Sequence, residues 1–193
     1  MEVLWNGSDE YRLVFVPENI YNAAQRNDIE AERLERGVKI EDGIHATQEN
    51  NYPEIFEMKD RLASQQDDPE KQDEFLALMS TIEGHALFYT DQLVPGYAEL
   101  ERKTDMEENP GLAFIDMDET ERQHQGGLKY VSKLYEEGGT EHTNLALAEP
   151  PESMEEINDY QKYLQRVNQK IDTEIMDSQG FEPWAFPLQG GRS

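Results

Sequence analysis

Four side chains of this sequence have the types and the spacing that a divalent metal site needs. Glu41 and His45 stand four residues apart, which places them one turn apart on the same face of a helix. Asp42 follows Glu41 directly, and a carboxylate next to a metal ligand can polarise a metal-bound water. Glu83 comes from a later segment and would complete the ligand set. The residue types therefore predict metal ligands at His45, Glu83 and Glu41, with Asp42 as the catalytic base.

The identity of the metal follows from the softness of these ligands. A site with two carboxylates and one imidazole is harder and more anionic than a site with two imidazoles, so manganese and iron become competitive with zinc. Asp42 has a shorter arm than glutamate and would hold an attacking water less well. We therefore expect weak peptidase activity or none, and the absence of any cofactor stays open as the alternative.

Each of these residues also has a simpler interpretation. A glutamate and a histidine four residues apart are common by chance in acidic proteins, and His45 would then be a buried histidine satisfied by Glu41. Glu83 would be a charge on a helix surface. His85 would be either a partly exposed residue or a second-shell donor to the site. The remaining two histidines have no partner pattern and are assigned to the surface: His124 and His142.

The element that positions the first ligands is a helix predicted from Asp28, a plausible N-cap, to about residue 50. Its apolar residues Leu34 and Val38 are four apart, and continuing their face reaches Glu41 and His45. Gly43 weakens this helix by about 1 kcal/mol relative to alanine. Close packing against another element is the expected reason for a glycine there.

The rest of the chain is predicted to be mostly helical. A strand at 11–16 is rich in β-branched and aromatic residues and is stopped by Pro17. Helices are expected at about 54–64, 70–93, 97–104, 124–137 and 154–176, the fourth ending at Gly138-Gly139. The predicted fold is a mainly helical α+β domain with a small sheet, spanning 1–193, with peripheral tails at 1–10 and 177–193.

The net charge of -25, from 42 acidic and 17 basic residues, restricts the partners. Such a surface repels nucleic acid phosphates and anionic membranes, so a protein or peptide is the expected partner, and the oligomeric state is open. The acidic residues are spread along the whole chain, which favours adaptation to high salt over a basic protein partner or nucleic-acid mimicry. Cysteine is absent, so any metal site uses histidine and carboxylates.

The chain shows no signal-peptide pattern and no apolar stretch of membrane-spanning length. We expect a soluble protein without membrane insertion. Its location is open: it would be cytoplasmic or virion-associated, or extracellular if a signal peptide had been trimmed.

Three segments resemble a family of zincin-like metallopeptidases seen in haloarchaeal surface proteins and in some bacteria. Family members have a helix His-Glu-Leu-x-His-Ala-Leu-Gln-Asp-Gln, a helix Ile-Glu-Gly-Asp-Ala and a segment Gly-x-x-Phe-Val-x-x-Leu-Tyr-x-x-Gly-Gly-Trp, followed by Pro-Pro and Ser-Thr-Glu-Gln. The matching segments here are Glu41 to Gln48, Ile82 to Ala86, and Gly127 to Gly139 with Pro150-Pro151 and Ser153 to Glu156. The resemblance covers about residues 11 to 160 and implies a zincin-like metallopeptidase fold.

The departures from the family pattern fall on the catalytic residues. Glu41 replaces the first histidine ligand and Asp42 replaces the catalytic glutamate. His85 stands where the family has aspartate, and Thr140 where it has tryptophan. The resemblance therefore implies the fold, with His45 and Glu83 as the matching ligands, but not the activity.

Three functions are consistent with these observations. The leading one is a degenerate His-Glu-x-x-His protein, a pseudoenzyme that acts through metal or polypeptide binding. The second is an active metal-dependent hydrolase in which Asp42 or Glu41 serves as base. The third is a structural or assembly protein of a halophilic archaeon or its virus, in which the apolar tail around Trp184 and Phe186 makes the contacts.

Overall fold

The computed structural model of the protein describes residues 2–4, 12–14, 31–101 and 122–178. Within these ranges the chain is almost wholly helical, which confirms the prediction of a mainly helical protein. The helices are α1 (Ala31–Asn51), α2 (Pro53–Ala63), α3 (Pro69–Leu93), a helical turn at 97–101, a π-helical segment (Arg122–Gly126), α4 (Gly127–Ala148), α5 (Met154–Asn158) and α6 (Tyr160–Ser178).

Two short strands precede the helices. β1 (Glu2–Leu4) and β2 (Arg12–Val14) pair antiparallel, with Val3 opposite Leu13, so β2 lies within the strand predicted at 11–16. A ribbon of two three-residue strands is too small to form a layer of a core. Residues 31–101 and 122–178 contain no strand, so the body they form is all-helical and shows no small sheet.

The boundaries of the helices follow from proline and from capping side chains. Pro53 and Pro69 occupy the first turns of α2 and α3, where a missing N–H costs nothing. Asp68 is the N-cap of α3, and its Oδ1 accepts a hydrogen bond from the Glu70 N–H at 3.0 Å. α1, α2 and α3 therefore match the predicted helices, except that the N-cap Asp28 lies outside the described residues.

α3 is the central helix of the body. It contacts α1, α2, the π-helical segment, α4 and α5. Its residues from 77 to 90 are buried on nearly every face, as expected for a helix surrounded by others: Ala77, Leu78, Ser80, Thr81, Ile82, Gly84, His85, Ala86, Leu87, Phe88 and Thr90.

Glycines set two of the close approaches in this body. A Cβ on Gly84 would lie 2.1 Å from the carbonyl carbon of Gly127, so α3 and α4 cross with their backbones in contact. A Cβ on Gly37 would lie 1.9 Å from the ring of Tyr97. Gly43 has nothing within 4 Å of its Cβ position, so the expectation of close packing there was wrong; Gly37 is the packing glycine of α1.

Two regions of the structure depart from continuous helix. α4 leaves helical geometry at Gly138 and at Gly139, whose φ of 64° is a left-handed conformation that favours glycine. The predicted stop at this pair is confirmed, although helix resumes directly after it. The single helix predicted at 154–176 is divided at Asp159 into α5 and α6.

The C-terminal helices are joined by an arginine clamp. Arg166 on α6 donates from Nε to Glu156 Oε1 at 2.7 Å and from Nη2 to Glu156 Oε2 at 3.1 Å. Its Nη2 also donates to the carbonyl of Pro150 at 2.9 Å. This bidentate pair ties α5, α6 and the segment after α4 together. The predicted tails lie mostly outside the described residues, and so do Trp184 and Phe186.

Candidate metal centre

The contact between α1 and α3 brings the candidate ligands of two distant segments together. His45 on α1 faces Glu83 on α3, with His45 Nε2 and Glu83 Oε2 3.3 Å apart. The two side chains are only 28% and 22% exposed, so solvent screens them weakly. The interpretation of Glu83 as a plain surface charge is therefore wrong.

Gln48, one turn after His45 on α1, contacts the second ring nitrogen of His45. His45 Nδ1 and Gln48 Oε1 are 2.9 Å apart. Gln48 Nε2 donates to the carbonyl of Ile82 at 3.0 Å and lies 3.2 Å from His85 Nδ1. The Gln48 side chain is therefore a bridge from α1 to α3 that joins both histidines, and Nε2 is the His45 nitrogen left for Glu83.

The electrostatics of the pair are dominated by the attraction between its members. Burial opposes the charged form of His45, but the hydrogen bond and charge of Glu83, helped by Glu41, outweigh burial and raise the pKa of His45. Burial alone would raise the pKa of Glu83, yet the hydrogen bond and charge of His45 prevail and lower it. Each residue therefore favours the charged form of the other.

Glu41 is hydrogen-bonded to a residue outside the His45–Glu83 pair. The Tyr97 hydroxyl donates to Glu41 Oε2 at 2.7 Å. Burial, followed by repulsion from Glu101, raises the pKa of Glu41 to about 7 in spite of this hydrogen bond. The residue at the first-ligand position is thus half protonated near neutral pH and engaged by a tyrosine.

Asp42, predicted as the catalytic base, lies on α1 beside this group. Burial raises the pKa of Asp42, while attraction from His45 opposes the shift. Its Oδ2 is buried without a hydrogen-bond partner among the described residues. A carboxylate in these surroundings is stabilised less than one that accepts hydrogen bonds.

His85 is buried, with 7% of its surface exposed, rather than partly exposed. Burial lowers the pKa of His85 to about 4, so the ring is neutral at neutral pH. Interaction with Asn144 opposes this shift, and Nε2 of His85 is buried without a hydrogen-bond partner among the described residues. His85 Nδ1 contacts the Gln48 amide, which also contacts His45, so His85 is linked to His45 through this side chain.

The structure adds residues that the sequence patterns did not single out. His124, assigned to the surface, lies with Nδ1 3.2 Å from Glu101 Oε1, and both side chains are mostly buried at 23% and 15% exposure. The charge of His124 lowers the pKa of Glu83, and that of Glu101 raises the pKa of Glu41, so this second pair borders the first. His142 is also half-buried, with its ring against Gly138.

The candidate ligands provide only part of the coordination that a metal ion needs. His45 and Glu83 converge, but over residues 31–101 and 122–178 no three His, Asp or Glu side chains are grouped so as to hold an ion. Glu41 accepts a hydrogen bond from Tyr97 on Oε2 and does not join the pair in such a group. The geometry therefore fits two protein ligands, with Gln48 orienting the imidazole.

Comparisons of this chain with protein-family models, with curated proteins and with solved structures gave no match. In the part of the chain that the structure describes, no helix has both the length and the apolar character needed to cross a bilayer.

Proposed function

We propose that this protein is a zincin-like pseudoenzyme that binds a divalent cation through His45 and Glu83 and does not hydrolyse peptides. The observation that supports the proposal is the approach of His45 Nε2 to Glu83 Oε2 at 3.3 Å, while His45 Nδ1 is engaged by Gln48. Metal-ligating histidines commonly have this arrangement, in which one nitrogen binds the ion and the other is held by a hydrogen bond.

The separation of the two atoms matches that of two ligands on one ion. Zinc–nitrogen and zinc–oxygen distances of about 2.0–2.2 Å at a tetrahedral angle place two ligand atoms about 3.3–3.5 Å apart. His45 Nε2 and Glu83 Oε2 are 3.3 Å apart. A charge-assisted hydrogen bond between the same groups would be shorter, at about 2.7–2.9 Å. The separation of 3.3 Å is therefore compatible with two ligands on one metal ion.

The surroundings of the pair favour a cation over an anion. Glu41 and Asp42 both interact electrostatically with His45, and repulsion from Glu101 and Glu83 contributes to the raised pKa of Glu41. A divalent cation would relieve this repulsion. With two protein ligands, affinity should be well below that of a structural zinc site, and zinc, manganese and iron are the candidates.

Loss of hydrolysis follows from the residues that replace the catalytic ones. A bound zinc ion supplies a polarised water in its open position. A peptidase also needs a third ligand and a base that takes a proton from that water. Glu41 is engaged by Tyr97, and Asp42 is one methylene shorter than the usual base. The chain therefore retains two ligands for the ion and lacks the third ligand and the base that hydrolysis requires.

The test is calorimetric titration of metal-stripped protein with Zn²⁺ and Mn²⁺ in molar KCl, which screens weak surface binding. We expect one cation per chain in the wild type and loss of that binding in His45→Ala and in Glu83→Gln. Glu136→Gln is the matched control, because this carboxylate is 65% exposed on α4. Wild-type binding that both site variants retain would refute the proposal, and so would the absence of binding in all four proteins.

A protease assay on an unfolded protein substrate separates the proposal from its alternative. We expect no metal-dependent hydrolysis by the wild type. Hydrolysis that is lost in His45→Ala and in Glu83→Gln would instead establish an active enzyme with a variant site.

A further inference from the structure

Gln48 is a polar side chain beside the candidate site that is almost fully buried, with 2% of its surface exposed. Its carboxamide contacts His45, His85 and the backbone carbonyl of Ile82. A buried amide whose polar atoms all have partners has one orientation that satisfies them, because its oxygen only accepts and its nitrogen only donates.

The carbonyl of Ile82 decides that orientation. A backbone carbonyl accepts only, so the Gln48 atom 3.0 Å from it must be the nitrogen. The second N–H of that nitrogen then points to His85 Nδ1 at 3.2 Å, which must present a lone pair. The oxygen is left for His45, whose Nδ1 at 2.9 Å must carry a hydrogen.

We propose that Gln48 is a positioning residue that holds the two histidines in opposite protonation patterns, with hydrogen on Nδ1 of His45 and on Nε2 of His85. His45 thereby presents Nε2 towards Glu83, and an ion shared with Glu83 would displace the hydrogen that this carboxylate attracts to Nε2. The binding of that ion rests on the proposed function, whereas the protonation pattern does not.

The residue type at this position is specific to the role. Glutamate would offer two acceptors and lose both donations, to Ile82 and to His85. Methionine has a similar length and shape but neither a strong donor nor a strong acceptor, so Gln48→Met removes the bridge with little change in volume. A plain packing role for Gln48 would leave the ring protonation of His45 unchanged in this variant.

Glu83 must be removed to observe the effect of Gln48 alone. Its carboxylate attracts a hydrogen to His45 Nε2, so the two neighbours compete for the same ring. Glu83→Ala removes that competition. In this background neutral His45 should carry its hydrogen on Nδ1, and in Glu83→Ala/Gln48→Met its two tautomers should mix.

The experiment is a long-range ¹H–¹⁵N correlation spectrum of the imidazole rings in metal-free, ¹⁵N-labelled protein, which distinguishes protonated from unprotonated ring nitrogens. His45 is observed in the Glu83→Ala background at about pH 9, with Glu83→Ala/Gln65→Met as the control because Gln65 lies in an exposed loop. His85 is observed in the wild type at the same pH, at which an imidazole of ordinary pKa is neutral.

The expected result is hydrogen on His45 Nδ1 in Glu83→Ala and in the control, and on His85 Nε2 in the wild type. Hydrogen on His85 Nδ1 would mean that the amide is reversed and would overturn the proposal. An unchanged His45 pattern in Glu83→Ala/Gln48→Met would also overturn it. The wild-type spectrum of His85 requires no variant, so the proposal stays testable if a double variant fails to fold.

Zinc titration of the single variant Gln48→Met completes the test. Loss of a residue that orients a metal ligand typically weakens affinity by about 10–100-fold, and we expect a loss in that range. Unchanged zinc affinity would refute the positioning role while leaving the proposed function intact. If the wild type shows the expected protonation pattern but binds no cation, the proposed function is refuted and the protonation pattern stands.

Discussion

The crossing of α3 and α4 at Gly84 allows a quantitative prediction about stability. In Gly84→Ala the new Cβ would lie 2.1 Å from the carbonyl carbon of Gly127 and 2.5 Å from its Cα and its oxygen. These are backbone atoms, which cannot rotate away as a side chain can. Moving from 2.1 Å to the 3.4 Å of ordinary contact requires the two helices to separate locally by 1.3 Å, which is 3.4 minus 2.1.

The expected cost is the difference between overpacking and helix propensity. Overpacking a well-packed core costs typically about 1–3 kcal/mol, and a clash between two backbones belongs at the upper end. Alanine recovers about 1 kcal/mol relative to glycine in a helix interior. The net expectation is a loss of about 2 kcal/mol in the free energy of unfolding, which lowers the melting temperature by about 4–8 °C for a chain of this size.

Gly43→Ala is the matched control on α1. Its Cβ position has nothing within 4 Å, so only helix propensity changes. We expect a gain of up to about 1 kcal/mol, or about 2–4 °C in melting temperature. Both variants are measured by thermal and urea unfolding followed by circular dichroism in molar KCl. Equal stability of Gly84→Ala and Gly43→Ala would contradict the close crossing of α3 and α4.

Three further predictions concern charge. Glu41→Gln should remove part of the pH dependence of stability. The pKa of Glu41 is raised from 4.5 to about 7 in the folded state, which therefore binds more protons between these values, so the stability of the wild type falls by up to about 3 kcal/mol as the pH rises through 7. Relative to the wild type, the variant should be more stable at pH 8 than at pH 4.5, as measured by urea unfolding at each pH. Glu156→Gln should cost about 2–3 kcal/mol because it leaves the Arg166 guanidinium, 24% exposed, without its bidentate partner; a loss below 0.5 kcal/mol in urea unfolding would contradict this (a level typical of surface substitutions). Raising KCl from about 0.1 M to 1 M shortens the Debye length from about 10 Å to 3 Å, so a chain with a net charge of -25 should melt at a higher temperature in high salt, and an unchanged melting temperature would rule out adaptation of this surface to salt.

Most of the helical architecture could be predicted from local signals. Pro53, Pro69 and Asp68 mark helix starts whose chemistry involves only neighbouring residues, and Gly138-Gly139 marks an interruption for the same reason. The break at Asp159 was not predicted, because the apolar spacing continues from α5 into α6. Gly43 was given a packing role that belongs to Gly37, since only the position of Tyr97 decides which glycine is covered.

The candidate site was predicted in part. The placement of His45 opposite Glu83 agrees with the sequence interpretation, because both stand on helices whose buried faces are visible as apolar spacing. Tyr97, Glu101 and His124 were missed, since no local pattern connects the turn at 97–101 with the π-helical segment. Gln48 lies within the family-like motif, and its regular spacing from His45 was the available signal for a partner of the ring.

The sequence by itself determined the helical segments, the acidic composition and the helix faces on which His45 and Glu83 stand, because these depend on residue types and on helical periodicity. Only the tertiary structure decided the protonation and the hydrogen-bond partners of these side chains. Contact between α1 and α3 directs Gln48 to both histidines, and the approach of Tyr97 engages Glu41. The physical reason is that protonation and ligand availability depend on burial and on partners distant in the chain, which a linear pattern of residues does not contain.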